Sequence, residues 1–147
     1  MGKLDGKVAI ITGGGRGIGY GISTAFAKEG ANLVLTGRTL ATLEKAKEEL
    51  EKAYGIEVLV VTADGGNEEA VNNVIQKAVE KFGRIDTVVN NAQVSKSGTM
   101  LADHTKEDFD VAIYSGLYAT FFYMKAAFPY LKESKGSVVN FASGAGL

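Results

Sequence analysis

Apolar residues fall into five short unbroken runs, separated by stretches in which they recur every three or four positions. The runs are "KVAIIT" (7–12), "NLVLT" (32–36), "EVLVVTA" (57–63), "DTVVN" (86–90) and "SVVNF" (137–141). Continuous apolar runs of this length mark strands covered on both faces, the situation of a parallel sheet. The intervening periodicity predicts helices from the glycine-rich turn to about Glu29, over 42–54, over 67–82 and over 105–132. In the second, Leu43, Ala46, Leu50 and Ala53 fall on one face; the third has Asn67 as its cap and Gly83 just past its end. Alternating strands and helices predict an α/β domain with a doubly wound parallel sheet in the order 3-2-1-4-5. No compositional shift divides the chain, so residues 1–147 read as one domain.

The stretch 105–132 is apolar nearly all round, with Ile113, Leu117, Phe121 and Met124 on one side and Tyr114, Phe122, Tyr123 and Phe128 elsewhere. A sheet covers one face only, and the expected cover for the rest is a neighbouring helix and its copy in a partner subunit. A homo-oligomer through this helix follows. Residues 111–131 are apolar enough to compare with a membrane span, but Lys125, Pro129 and scattered hydroxyls favour a buried helix instead.

Composition narrows the function classes. Sixteen Lys+Arg against 17 Asp+Glu give a net charge of −1, without the basic surplus that nucleic-acid binding needs. With no cysteine there are no disulfides or thiolate metal sites, and the single His104, among polar neighbours, reads as a solvated loop residue. No metal site is expected, and a cytoplasmic setting suffices. The start, "MGKLDGKVAIITG", has too short an apolar run for a signal peptide, and Gly6 stands where myristoylation calls for Ser or Thr.

The sharpest local signal is "IITGGGRGIGYG", a glycine turn that follows a strand and opens a helix. Gly13, Gly17 and Gly19 let the backbone turn tightly and approach a pyrophosphate, which the free N–H groups of the helix start then face. The rival P-loop fails: Gly14 and Gly19 have its spacing, but Tyr20 follows where Lys belongs. An acidic residue normally ends the second strand when the ribose of NAD is bound. Here "LTGRTL" has Gly37 and Arg38 instead, and Arg16 lies within the glycine turn. A guanidinium attracts a 2′-phosphate that a carboxylate would repel, so NADP is expected over NAD.

"TGGGRGIG" (12–19), "NNAQ" (90–93) and Ser143 after the fifth strand resemble the pattern of the short-chain dehydrogenase/reductase family, over the whole chain and in order. The resemblance implies an NAD(P)-dependent oxidoreductase interconverting a secondary alcohol and a ketone. It places Gly13, Gly15, Arg16, Gly17, Ile18 and Gly19 along the coenzyme's phosphates and adenosine ribose. It also places Asp64 at the adenine amino group, Asn90 and Ala92 at the coenzyme ribose, and Ser143 on the substrate oxygen. Two positions depart from the family pattern. Gln93 replaces a glycine, and Gly116 replaces an asparagine that positions a water in the family's proton relay. With "YSGLYATFFYMKAAFPYLKE" and "VVNFASGAGL", these departures are similar to the bacterial hydroxysteroid dehydrogenases that act at the 12α position of bile acids.

The family's acid/base is a tyrosine with a lysine four positions later. Tyr20, Tyr54, Tyr114, Tyr118, Tyr123 and Tyr130 are followed at that spacing by Thr24, Val58, Tyr118, Phe122, Ala127 and Ser134, none of them lysine. Ser143 alone is too weak an acid, and the nucleophile-elbow pattern fails at Phe141. The expectation is therefore an enzyme whose tyrosine and lysine lie beyond Leu147, these residues being its N-terminal part. The alternative is an NADP-binding module or sensor without catalysis.

Overall fold

The structure is a computed structural model that describes residues 2–144. Five strands, β1 (Val8–Thr12), β2 (Asn32–Gly37), β3 (Val58–Thr62), β4 (Thr87–Asn90) and β5 (Ser137–Asn140), form one parallel sheet in the order β3-β2-β1-β4-β5. Helices α1 (Gly17–Lys28), α2 (Leu40–Tyr54), α3 (Glu68–Phe82), α4 (Lys106–Ala112) and α5 (Ala119–Ser134) cover it. The expected sheet order holds. Burial on both faces holds for β1, β2 and β4, whereas the edge strand β5 has no buried residue and Val139 is 44% exposed. Along β1, Val8 and Ile10 enter one buried cluster with residues of α3 and α5, while Ala9 and Ile11 enter another with residues of α1 and α2.

Local chemistry sets the helix ends. Asn67 Oδ1 accepts from the Ala70 N–H at 3.0 Å, and Gly83 closes α3 in the left-handed region at φ 73°. Leu43, Ala46 and Leu50 are buried as expected, but Ala53 is exposed. It lies in the last turn of α2, two residues before the C-cap Gly55.

The predicted helix over 105–132 runs instead from Lys106 to Ser134 and carries a π-helical turn, Ile113–Tyr118, between α4 and α5. Ser115 in this turn exchanges two hydrogen bonds with Val94, accepting from its N–H at 2.8 Å and donating to its carbonyl at 3.0 Å. That anchor, outside the helix, is a tertiary contact that no periodicity records. Tyr123, Ala127 and Leu131 face the sheet; Leu117, Phe121, Met124 and Phe128 form an exposed ridge on the other side.

Asp86 ties the entry of β4 to the start of β1. It accepts from the Val8 N–H at 2.9 Å and from Arg84 Nε and Nη2 at 2.8 and 2.7 Å. Burial alone would raise its pKa, but the Arg84 fork, the Val8 N–H and the Lys7 charge outweigh it and hold the carboxyl below the usual range. Among the described residues no helix is long and apolar enough to cross a membrane.

Candidate functional site

The chain leaves β1 at Thr12 and turns through Gly13, in the left-handed region at φ 65°, before α1 opens at Gly17. Among the described residues the start of α1 is uncapped: the N-cap Arg16 makes no side-chain cap, and no acidic residue stands in the first turn. Its first N–H groups are therefore available to an anion, which the helix dipole also favours. Gly19 lies so close to the turn that a Cβ would collide with the Gly13 carbonyl oxygen and come within 2.7 Å of Asn91 Nδ2. The buried Ser23 hydroxyl lies 3.0 Å from Gly14 O and 2.9 Å from Gly19 O, bracing the same turn.

Thr12 joins this turn to the end of β4. Its hydroxyl accepts from the N–H groups of Asn91 and Ala92 at 3.0 and 2.9 Å, and its carbonyl accepts from Asn91 Nδ2 at 3.2 Å. The chain after β4 is thereby held across from the glycine turn, with a cavity of about 680 Å³ along the carboxyl ends of the strands. Such a position is where open α/β sheets take ligands.

Two cations line that cavity, Arg16 from the glycine turn and Arg38 from the end of β2. Both are exposed, and neither belongs to any of the ion pairs found among the described residues. Asp64, past β3, also lines it; one carboxylate oxygen accepts from the Gly66 N–H at 3.0 Å, which shapes the loop. On another wall, the hydroxyls of Thr36 and Tyr123 share a hydrogen bond at 3.1 Å. Burial pushes the Tyr123 hydroxyl up to about 12 in spite of that bond, so it holds its proton throughout the neutral range.

Of the residues expected from sequence, Gly13, Gly15, Arg16, Gly17, Arg38, Asp64 and Ala92 line the cavity. Ile18, Gly19, Asn90 and Ser143 do not. Ile18 is 70% exposed on the surface of α1, and Gly19 acts through close packing. Asn90 is 7% exposed, and its carboxamide donates to Asn140 Oδ1 at 2.8 Å across the β4–β5 pair. Asn91, one residue later, lines the cavity instead. Ser143 is exposed beyond the end of β5, and the following residues, 145–147, lie outside the described residues. Sequence reasoning assigned no role to Thr12, Asn91 or Ser115; the quoted "TGGGRGIG" and "NNAQ" contain the first two, but their bonds join segments nearly 80 residues apart.

His104 is half-buried beside α4, with Nε2 3.1 Å from the Lys96 carbonyl, and no group of metal-ligating side chains exists among the described residues.

Sheet order, glycine turn and cavity together define a Rossmann-type nucleotide-binding fold. Residues 7–147 match the family described as short chain dehydrogenase, and the chain belongs to that family. It is 61% identical, over its full length, to a 12α-hydroxysteroid dehydrogenase of a Clostridium species, of which it spans 59%. Solved structures are similar as well. L-sorbose reductase of Gluconobacter frateurii, complexed with NADPH and L-sorbose, superposes over the whole chain with a TM-score of 0.93 at 32% identity. An alcohol dehydrogenase of Thermococcus sibiricus, complexed with 5-hydroxy-NADP, covers 90% of the chain with a TM-score of 0.86 at 36% identity. A xylitol dehydrogenase bound to NAD+ covers 98% with a TM-score of 0.91 at 30% identity. The chain spans 56%, 56% and 55% of those three proteins, respectively.

Proposed function

We propose that residues 1–147 form the coenzyme-binding portion of an NADP-dependent oxidoreductase that interconverts a secondary alcohol and a ketone. The observation carrying this reading is the pair of arginines, Arg16 and Arg38, that face the cavity without ion-pair partners beside an uncapped helix start. The similar solved structures hold NADPH, an NADP derivative or NAD+ on one fold, so the fold does not choose the coenzyme. The charge at the end of β2 does. Arg38 stands where a carboxylate would grip the ribose of NAD, and a 2′-phosphate there gains a charge-assisted hydrogen bond.

The residues fit such a group. Gly13 and Gly19 leave a cradle that a Cβ at Gly19 would fill, the α1 N–H groups take the pyrophosphate, and Asp64 retains a carboxylate oxygen for the adenine amino group. When bound, the nicotinamide accepts or supplies the hydride exchanged with the carbinol carbon. Ser143 would hold the substrate oxygen by a hydrogen bond. The acid/base tyrosine and lysine of the family resemblance are not among these 147 residues, and we place them in further sequence of the same protein. That the relatives are longer than this chain supports the assignment.

A hydroxysteroid, in particular a bile acid, is the proposed substrate class, on the strength of the identity to the Clostridium enzyme. The exposed ridge of Leu117, Phe121, Met124 and Phe128 supports a homo-oligomer through α4 and α5, and size-exclusion chromatography giving a stable monomer would count against it. The charge balance and the absence of cysteine favour a cytoplasmic protein with no nucleic-acid partner. A second reading, an NADP-binding module without turnover, is favoured by one observation. The buried tyrosine of the cavity, Tyr123, titrates at about 12 and has no lysine four positions on.

Titration of these residues with NADPH and NADH tests the coenzyme, and a panel of hydroxysteroids and bile acids on the full-length protein separates the readings. Tight NADPH binding with turnover by the full-length protein supports the enzyme, binding without turnover by it supports the module, and equal affinity for the two coenzymes refutes the NADP preference.

A further inference from the structure

The chain after β4 is fixed on both sides of one residue whose side chain nothing holds. Asn91 and Ala92 are bonded through their N–H groups to the Thr12 hydroxyl, and Val94 is bonded twice to Ser115. Between them Gln93 lines the cavity, exposed, and no hydrogen bond engages its carboxamide. With the backbone locked at 92 and 94, only the side-chain torsions decide where that carboxamide goes.

Those torsions have a guide. Gly116, in the π-helical turn, faces Gln93, and a Cβ there would have a single neighbour, Gln93 Cγ at 3.7 Å. A Cβ alone would fit beside the glutamine stem, so the notch is the room that side-chain atoms beyond Cβ would take. Glycine within a helix costs stability relative to alanine, and π turns recur at functional positions. Gly116 needs no left-handed backbone, so the notch itself is what glycine provides here. Beyond it the carboxamide, with two donors and an acceptor, borders the cavity lined by Gly13, Gly15, Arg16 and Arg38.

We propose that Gln93 is a coenzyme-reading residue, its carboxamide aimed by the notch at Gly116 to hydrogen-bond the ribose–phosphate backbone of the dinucleotide. The proposal rests on the coenzyme reading above. It links a side chain and a glycine that are each unexpected from the family resemblance: the stem of the first lies against the position that the second leaves open.

The test measures NADPH affinity and thermal midpoint for the wild-type protein, Gln93→Ala, Gly116→Leu and the double variant. It also follows the Gln93 side-chain amide by nitrogen-15 NMR. One neutral hydrogen bond corresponds to about fivefold in affinity. Gln93→Ala should weaken NADPH by about that factor with the thermal midpoint unchanged, which a purely structural role would not do. Gly116→Leu fills the notch, so it should move the Gln93 amide signal before any ligand is added. The double variant should then bind no more weakly than Gly116→Leu alone. Should Gly116→Leu fail to fold, the Gln93→Ala affinity and a shift of the wild-type amide signal on adding NADPH decide the matter. A wild-type protein that binds NADPH while Gln93→Ala stays within twofold of it overturns the role of Gln93 alone, and losses that multiply in the double variant overturn the shared notch. Failure of the wild type to bind either coenzyme overturns the coenzyme reading and this proposal with it.

Discussion

Two glycines of α1, two positions apart, should respond to alanine in opposite directions. At Gly21 a Cβ meets nothing within 4 Å, so Gly21→Ala gains helix propensity alone, about 1 kcal/mol. At Gly19 the same methyl group collides with the Gly13 carbonyl oxygen and crowds Asn91 Nδ2, at 2.7 Å. Relief requires α1 to move away from the β1 end or Asn91 to abandon its 3.2 Å bond to Thr12 O. Overpacking of this kind costs about 1–3 kcal/mol and the lost bond about 1, against a propensity gain of about 1. The net loss is about 1–3 kcal/mol. For a domain of this size each kcal/mol moves the midpoint by about 2–4 °C, so Gly21→Ala should melt a few degrees above the wild type and Gly19→Ala below it. Displacing the α1 N–H groups should also weaken NADPH, by about tenfold for each charge-assisted bond lost. Calorimetry and a fluorescence titration of both variants are the assay. If Gly19→Ala proves as stable as Gly21→Ala and binds NADPH like the wild type, the close-packed cradle is not what holds the turn.

Arg38→Asp should weaken NADPH at least about tenfold, the worth of one hydrogen bond to a charged group, while leaving NADH binding equal or improved; titrations in which both coenzymes weaken alike would contradict the 2′-phosphate assignment. Thr12→Val keeps the shape but strands the N–H groups of Asn91 and Ala92, and should cost about 2–4 kcal/mol by chemical denaturation, with Thr12→Ser restoring most of it. Because the Asp86 carboxyl is depressed in the folded protein, its contribution is complete above the unfolded carboxylate range, near pH 4, and disappears as pH falls through the lower folded value. Asp86→Asn should therefore destabilise by about 2 kcal/mol at pH 7 and by progressively less as pH falls below about 4, so an unfolding difference that stays constant through that fall would show Asp86 to be electrostatically idle.

The central strands were legible because burial on both faces leaves a short unbroken apolar run between turn residues, as in Val8–Ile11; the similar run Val111–Tyr114 is helical and is told apart by the long periodic stretch around it. The glycine turn was legible because its requirements are local. What the sequence concealed depends on partners far along the chain. The π turn follows from Ser115 meeting Val94, and a 3.6-residue period cannot reveal it. Nor can adjacent letters show which asparagine of "NNAQ" faces the cavity. Asn90 is the last paired residue of β4, opposite Asn140, and its side chain is taken by that neighbour; Asn91 is the first residue free of the ladder and turns towards Thr12. Ala53 had the right phase but lies in the last turn of α2, where it is exposed.

The cavity also separates binding from proton transfer. Arg16 and Arg38 sit near the ends of β1 and β2, exposed, and no ion pair among the described residues neutralises them. Tyr123 has the opposite environment. Its desolvation, which secures the contact with Thr36 and packs α5 on the sheet, is what moves its pKa to about 12 and away from acid/base work at neutral pH. Lowering it would need a cation beside the phenolic oxygen, and a lysine introduced there would lose its own hydration on burial, at a cost of several kcal/mol. The fold thus uses this phenol as a packed, hydrogen-bonded strut.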